Sequence, residues 1–180
     1  MLPSLVGTKQ KSTGFTLIEL MVAIFMAGIL ATISAPVMFG FVNRSKLTSA
    51  RSELFGALEE VQRQAIRRSI NCRFILPSSP AINPTFDSDC FVTGDRSLEG
   101  ITLRHNGASV KSTDFLFDFR GRTSDMTSNL LTGDLVLILT KNGNLGNQKC
   151  VIVSRGLGLV RSGNYPSGDS STDSTKCVLQ

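Results

Sequence analysis

The stretch Gly14-Phe15-Thr16-Leu17-Ile18-Glu19-Leu20 decides the fold of this protein, because it opens a long apolar run. From Leu20 to Val42 the sequence has 23 residues without a charged side chain. A helix of about 20 apolar residues crosses the hydrocarbon core of a bilayer, so this run predicts a membrane-spanning helix. A carboxylate at the centre of such a span costs about 2.5 kcal/mol or more, so we expect Glu19 to have a partner for its charge.

Two ordinary explanations of the run compete with a more specific one. A cleaved secretory signal has an apolar core of about 7–15 residues and a small-residue cleavage site. The run here is longer, and its best candidate site, Ile33-Ser34-Ala35, is followed by Pro36. A plain single-span anchor fits the length but leaves Gly14 and Glu19 unexplained.

The third explanation is a resemblance. The heptapeptide, behind a leader whose charges are Lys9 and Lys11, resembles the class III signal of type IV pilins and type II secretion pseudopilins. The resemblance implies that a prepilin peptidase cuts after Gly14 and that Phe15 becomes N-methylated. It also implies an assembly role for the charge of Glu19.

A non-enzymatic filament subunit is the function that this resemblance implies. Its partners would be other pilin subunits, the prepilin peptidase and the inner-membrane assembly platform. Lys9 and Lys11 predict a cytoplasmic leader, a single pass through the cytoplasmic (inner) membrane and an exported C-terminus. The subunit would then be displayed in a pilus or pseudopilus, in the periplasm or outside the cell.

The spacing of two residues agrees with a role in assembly. Glu19 lies four residues after Phe15, so we expect both on one side of a helix, one turn apart. After cleavage the amine of Phe15 on one subunit could neutralise Glu19 on a neighbour. Either charge alone in a dry site would cost several kcal/mol, so the pair would set the register of the helices.

Beyond Pro36 the pattern becomes amphipathic, with apolar residues at spacings of three and four: Leu47, Ala50, Leu54, Leu58, Val61 and Ala65. We predict a nearly continuous helix over 15–70, after a leader at 1–14. Its first half, 15–42, is the membrane and filament-core half, and 43–70 is the amphipathic half. Pro36 should kink it, and the resemblance implies that the stretch from Gly28 to Pro36 can lose helical form on assembly.

A β-rich globular head is predicted over 71–180, which makes the fold α+β and pilin-like. Short β-rich runs separated by turn residues lie at 73–76, 101–104, 115–119, 135–140, 150–153 and 159–161. The uniformly apolar 135–139 predicts a central strand, and 141–144 a hairpin turn. We predict a loop at 77–89, with three prolines, and a polar tail at 166–175. Local likeness at 119–122 and 153–161 places the head nearer to GspH/FimT-type minor pilins and pseudopilins than to major pilins.

Four cysteines in a chain predicted to be exported indicate two disulfides. Nearest-neighbour pairing, Cys72 with Cys90 and Cys150 with Cys177, is our prediction among three possible connectivities. There is no Cys-x-x-Cys, and the single histidine, His105, is far from every cysteine, so we predict no metal and no cofactor.

No catalytic motif is present, and this agrees with a structural subunit. His105 precedes Asn106-Gly107 and is interpreted as a turn residue. The carboxylate pairs at 59–60 and at 87 and 89 are interpreted as solvated surface groups.

The basic residues leave two interpretations open. Residues 71–180 carry eleven basic and ten acidic groups, but between Asp134 and Asp169 there is no acidic residue. Some DNA-uptake minor pilins of the FimT branch carry a Gly-Arg-x-Arg element. Here the matching stretch 158–161 keeps the glycine and the last arginine but has Leu159 in place of the first. The candidate DNA contacts are Arg120, Arg122, Lys141, Lys149, Arg155 and Arg161; the alternative is a solvated basic face.

Three functions therefore follow from the sequence. The first is a structural subunit of a type IV pilus or a type II secretion pseudopilus. The second is a DNA-binding receptor that serves DNA uptake in natural transformation. The third is a GspH-type pseudopilin in protein export.

Overall fold

The computed structural model describes residues 14–107, 114–127, 129, 131 and 133–179, and at 33–39 the backbone alone. Most of the predicted leader, with Lys9 and Lys11, lies outside the described residues. The described chain falls into two compact units with a boundary between Phe41 and Val42.

The first element of the described chain is one long helix, α1, which spans Leu17–Arg68. The predicted span of 15–70 is two residues longer at each end. All six residues of the predicted amphipathic stripe are buried, and Ala57 joins them. In the second unit this stripe packs on the head, because spacings of three and four place its members on one side of the helix.

In the described residues, eleven short strands follow the helix. They are β1 (Cys72–Ile75), β2 (Ala81–Ile82), β3 (Thr85–Ser88), β4 (Arg96–Ser97), β5 (Ile101–His105), β6 (Phe115–Phe117), β7 (Thr123–Ser124), β8 (Leu135–Lys141), β9 (Asn144–Val153), β10 (Val160–Tyr165) and β11 (Val178–Leu179). A single turn of 3₁₀-helix, Ser174–Lys176, precedes the last strand. Every strand pairing in the described residues is antiparallel.

A five-stranded sheet in the order β4-β3-β1-β6-β7 carries the aromatic part of the core. Phe74 lies 5.4 Å from Phe115 between ring centroids, and Phe115 lies 5.2 Å from Phe117. The alternation of buried phenylalanines with a partly exposed Leu116 is the pattern of a strand with one face on a core.

A six-stranded sheet in the order β11-β10-β9-β8-β5-β2 forms the second layer. Strand β8 lies inside it and is buried from Leu135 to Thr140, which confirms the predicted central strand. The β8–β9 turn has Asn142 at φ 48° and Gly143 at φ 73°. These left-handed values define the tight hairpin that Asn-Gly favours, as predicted.

The two faces of this sheet bury different groups. Leu135, Leu137 and Leu139 join the main core, which also contains the helix stripe and the inner face of the five-stranded sheet. On the opposite face a second cluster forms from Val136, Ile138, Cys150, Ile152, Tyr165 and Cys177. The tail after β10 returns to this face and is held there by the Cys150–Cys177 disulfide.

The predicted loop at 77–89 is wrong in part. It contains β2 and β3, and β3 pairs with β1 through Phe74–Ser88 and Ile75–Asp87. Cys72 and Cys90 form the second disulfide and bracket this hairpin. The prolines at 77, 80 and 84 all precede or separate the strands, so they do not interrupt either ladder.

Two interpretations from the sequence are also wrong. His105, interpreted as a turn residue, ends strand β5 and is buried; Gly107 N–H donates to its Nδ1, and its Nε2 lies 2.9 Å from the carbonyl oxygen of Pro77. Glu60 is not simply solvated, because it accepts from Arg96 Nη2 at 2.6 Å and from the N–H of Val92 at 3.1 Å. Both residues serve contacts distant in sequence, which a local pattern cannot reveal.

Candidate functional site

The start of α1 places the predicted processing site outside the helix. Gly14, Phe15 and Thr16 have no helical assignment, and the helix begins at Leu17. The Thr16 hydroxyl accepts a hydrogen bond from the N–H of Glu19 at 3.3 Å, and the Thr16 carbonyl accepts from Leu20 N–H at 3.2 Å. Thr16 is therefore the N-cap, and Thr16-x-x-Glu19 has the spacing of a capping box.

This cap corrects one expectation about Phe15 and Glu19. We expected them one turn apart on a helix, but Phe15 precedes the N-cap, so helical periodicity does not relate the two side chains in the uncut chain. Phe15 is 82% exposed and Gly14 is also exposed. A peptide bond in an exposed, non-helical segment is open to a peptidase.

The apolar residues that follow are exposed in the single chain. Side chains such as Leu17, Ile24 and Phe25 have about two-thirds or more of their surface open. Among the residues that the structure describes, no helix has both the length and the hydropathy needed to cross a bilayer.

The predicted kink residues lie within continuous helix. The α-helical assignment runs through both Gly28 and Pro36. A β-carbon at Gly28 would meet no atom within 4 Å. The bend at Pro36 and the loss of helical form on assembly stay predictions.

Two turns meet at the far end of the helix. The Gln62 side chain donates from Nε2 to the carbonyl oxygen of Gly121 at 2.8 Å and to that of Gly158 at 2.9 Å. The turn at 118–122 and the turn at 154–159 are therefore joined to each other through one helical side chain. This junction is the link that sequence reasoning lacked, since residues 120 and 158 are far apart in the chain.

Four of the predicted DNA contacts belong to these two turns or to the strand beside them. Arg120 lies over the Phe119 ring at 5.0 Å, and Arg122 pairs with Asp118 at 2.8 Å. Arg161 donates to the Ser154 hydroxyl at 3.0 Å and lies 4.0 Å from Asp134. The N–H of Arg155 donates to the same Asp134 carboxylate at 2.8 Å.

These contacts change the electrostatics of the predicted surface. Asp134 marks the edge of the acid-free stretch in sequence, yet in space it lies beside Arg161. Asp118 likewise offsets Arg122, and the pKa of Asp118 is lowered: burial opposes the shift, but hydrogen bonds from Arg122 and from the N–H of Arg120, with the charge of Arg122, outweigh it. The structure therefore brings the four arginines to one end of the head and neutralises part of their charge.

The two lysines lie elsewhere. Lys141 Nζ donates to Asn43 Oδ1, and Lys149 Nζ donates to Asn164 Oδ1. Asn43 and Gln62 are 19 residues apart on α1, which corresponds to about 28 Å along a helix. The six predicted contacts are therefore two separate groups, one at each end of the helical half that packs on the head.

Sequence reasoning missed two residues that organise these sites. Thr16 carried a readable signal, because Thr-x-x-Glu ahead of an apolar run predicts a helix start. Gln62 carried none, since its partners are main-chain oxygens of distant turns.

Comparison with known proteins agrees with this architecture. Residues 9–35 match the family model described as the prokaryotic N-terminal methylation motif. No curated protein matches the sequence. A solved structure with 14% sequence identity and a TM-score of 0.50 covers 74% of this chain, and this chain covers 98% of it. A second crystal form has 13% identity and a TM-score of 0.49, with 71% and 98% covered.

Together the signal and the fold define the class that this chain resembles: it carries a prepilin-type methylation motif and has a pilin-like fold. The solved structures just described, in two crystal forms, are of the type IV minor pilin FimU of Pseudomonas aeruginosa strain PAO1. At this identity the similarity concerns the fold.

Proposed function

We propose that this protein is a minor pilin or pseudopilin, a non-enzymatic structural subunit of a type IV pilus or a type II secretion pseudopilus. The observation that carries the proposal is the position of the signal relative to α1. Gly14 and Phe15 are exposed and lie directly before the N-cap at Thr16. A peptidase that cuts after Gly14 would leave a helix that begins within three residues of a new, methylated amine.

Assembly explains the exposed apolar side chains after the cap. The uncharged run from Leu20 to Val42 would hold the subunit in the cytoplasmic membrane, with its head exported, until the assembly platform inserts it into a filament. There the same side chains would be covered by the helices of other subunits. The amine of Phe15 on one subunit would neutralise Glu19 on its neighbour, since a lone charge in such a bundle is costly.

The processing step is the direct test. Gly14→Leu should block cleavage in a host that has a prepilin peptidase, so the full-length chain accumulates in the membrane fraction. Gly28→Leu is the matched control, because it also replaces an exposed glycine of this segment with open space around it. Intact-mass measurement should find a methylated chain beginning at Phe15 for the wild type and the control. Normal mature protein from Gly14→Leu would overturn the proposal.

A DNA receptor is a second candidate, favoured by the junction of the two arginine-bearing turns. Arg120, Arg155 and Arg161 lie in or beside turns that Gln62 holds together. Arginines gathered at one exposed end can contact phosphates, which carry no sequence information, so binding would be weak, non-specific and salt-dependent. Asp118 and Asp134 weigh against strong binding, because each lies beside one of the arginines.

Salt dependence separates this candidate from a solvated face. Arg155→Gln with Arg161→Gln should reduce the slope of log affinity against log salt by about 2. Lys141→Gln with Lys149→Gln removes the same charge from the other group and should leave the slope nearly unchanged. An unaltered slope in the arginine variant would exclude the DNA-binding role.

The genes beside the gene for this protein would distinguish a pilus subunit from a pseudopilus subunit. Genes for pili or competence would indicate a pilus, and genes for exoprotein secretion would indicate a pseudopilus.

A further inference from the structure

One flank of the helix in the head carries positive charge. Arg44 and Arg51 are seven residues apart, so they lie on the same side of α1 and two turns from each other. Arg44 is exposed and Arg51 is half-buried. Both follow closely after Val42, where the uncharged run ends.

The β8–β9 hairpin adds two lysines to this flank. Lys141 reaches the helix through its hydrogen bond to Asn43. Lys149 lies close enough to Arg51 for the arginine charge to act on it: burial lowers the pKa of Lys149, and Arg51 lowers it further. We name the group Arg44, Arg51, Lys141 and Lys149 the cationic flank.

Acidic residues are missing from the segments that build this flank. Neither residues 43–52 of α1 nor residues 135–168, which include all of β8, β9 and β10, contain an Asp or a Glu. The other side of the helix differs, because Lys46 there lines a cavity together with Glu53 and Glu99. Positive charge without acidic neighbours from these segments therefore lies on one side of the helix, at the end of the head that adjoins the apolar run in sequence, because Glu53 and Glu99 accompany Lys46 on the other side.

We propose that the cationic flank docks on anionic phospholipid headgroups of the membrane that holds the apolar run. The inference rests on the membrane-anchored state in the proposed function. The negative phosphates of the headgroups complement the four positive side chains of the flank. The flank begins at Arg44, two residues after the apolar run ends, so a membrane-spanning run would place the start of the flank near the headgroup layer. Each Lys or Arg near an anionic surface strengthens attachment by about fivefold, and salt screens the attraction. Docking would fix one face of the head on the membrane before assembly.

Lysine reactivity in bilayer discs tests this directly on the full chain. The protein is reconstituted in phosphatidylcholine discs and in discs that also contain phosphatidylglycerol, then treated briefly with an amine-acetylating reagent and mapped by mass spectrometry. Acetylation of Lys141 and Lys149 should be at least about fivefold slower in the anionic discs, which is the factor expected from a single charge near the surface. The protection should vanish in about 1 M salt, where the Debye length is about 3 Å.

Internal and matched controls make the result specific. Lys46 lies at the same level of the helix on the other flank, so its reactivity should change little. Equal protection of Lys46 would show that the head merely lies near charged lipid and would overturn the docking. Arg44→Gln with Arg51→Gln should abolish the protection of both lysines. Arg67→Gln with Arg68→Gln, which removes two charges at the far end of the helix, should preserve it.

The outcomes also separate this inference from the proposed function. A chain that floats with both kinds of disc but shows the same lysine reactivity in each is anchored without docking, and the inference fails alone. A chain that floats with neither disc is not anchored, and both proposals fail together.

Discussion

The α-carbon of Gly158 lies so close to the carbonyl oxygen of Gly121 that a β-carbon at position 158 would overlap that oxygen. Gly158 has φ +66°, in the left-handed region that glycine tolerates best. Gln62 donates to the carbonyl groups of both glycines. The two turns and the helix therefore meet at Gly158, and the turns can lie this close only because residue 158 has no side chain.

Gly158→Ala should destabilise the head, because the new methyl group meets a main-chain oxygen that cannot move alone. We expect the free energy of unfolding to fall by about 3 kcal/mol, which combines backbone strain with overlap. Urea unfolding of the detergent-solubilised chain, followed by circular dichroism, measures the loss. Gly168→Ala is the control, with φ +79° but open space around it; strain alone costs about 1 kcal/mol. Equal losses would show that the overlap relaxes freely.

Removal of the tail disulfide should loosen the sheet face that the tail covers. Cys150 and Cys177 are 27 residues apart, so in the chain-entropy model their bond contributes about 3.5 kcal/mol. The double change Cys150→Ser with Cys177→Ser should lower the free energy of unfolding by about this amount and speed amide exchange over 166–177. Unchanged exchange in that segment would show that hydrogen bonds alone hold the tail.

Acid should weaken the tail through Asp169. The Asp169 carboxylate accepts a hydrogen bond from Lys176 Nζ at 2.7 Å and another from the N–H of Ser171 at 2.7 Å. These bonds hold the pKa of Asp169 well below its ordinary value, and the bond from Lys176 has the largest effect. Because the folded-state pKa of Asp169 lies below the unfolded value of about 4, the ionised carboxylate stabilises the protein above about pH 4. This stabilisation is lost as the pH falls through the folded-state pKa.

Asp169→Asn should therefore reduce stability at neutral pH and flatten its decline below about pH 4. The curves of wild type and variant should converge as the pH approaches the depressed pKa. Urea midpoints at a series of pH values provide the measurement. Parallel curves would mean that Asp169 does not carry the acid sensitivity.

Glu19 should matter for assembly more than for insertion. Glu19→Ala should leave the chain in the membrane fraction but reduce its incorporation into sheared filaments by tenfold or more, because the partner amine loses a neutralising charge worth several kcal/mol. Glu19→Gln distinguishes charge from helix capping, since it keeps a side chain suited to the capping box with Thr16. Normal incorporation of the glutamine variant would assign the role to the cap and contradict charge pairing.

Local patterns predicted the parts of the fold that depend on neighbours in sequence. The stripe from Leu47 to Ala65 is buried because helical periodicity alone places it on one face. The Asn142-Gly143 hairpin follows equally directly, because few dipeptides adopt left-handed values so readily. The prolines at 77–89 do not prevent strand formation, because they lie outside the ladder positions of β2 and β3.

The candidate DNA contacts depend instead on pairing between distant residues, so the sequence did not reveal that they form two separate groups. Lys141 and Arg161 belong to one acid-free stretch, but strand register and the Gln62 junction send them to different ends of the head. Asp134 stands at the edge of that stretch and still lies 4.0 Å from Arg161. Charge counted along a chain does not measure charge on a surface unless the pairing of strands is known.

The tail has a consequence for how this protein resists proteolysis. Residues 166–177 form a polar excursion that closes over Val136, Ile138 and Ile152, and the Cys150–Cys177 bond joins its far end to β9. A protease that cuts once within the excursion frees neither end, because one side stays attached to β10 and the other to the disulfide. Only a cut combined with reduction would strip the apolar face and expose it to aggregation. In an oxidising compartment, the head should therefore survive nicking as a two-chain molecule with its fold intact.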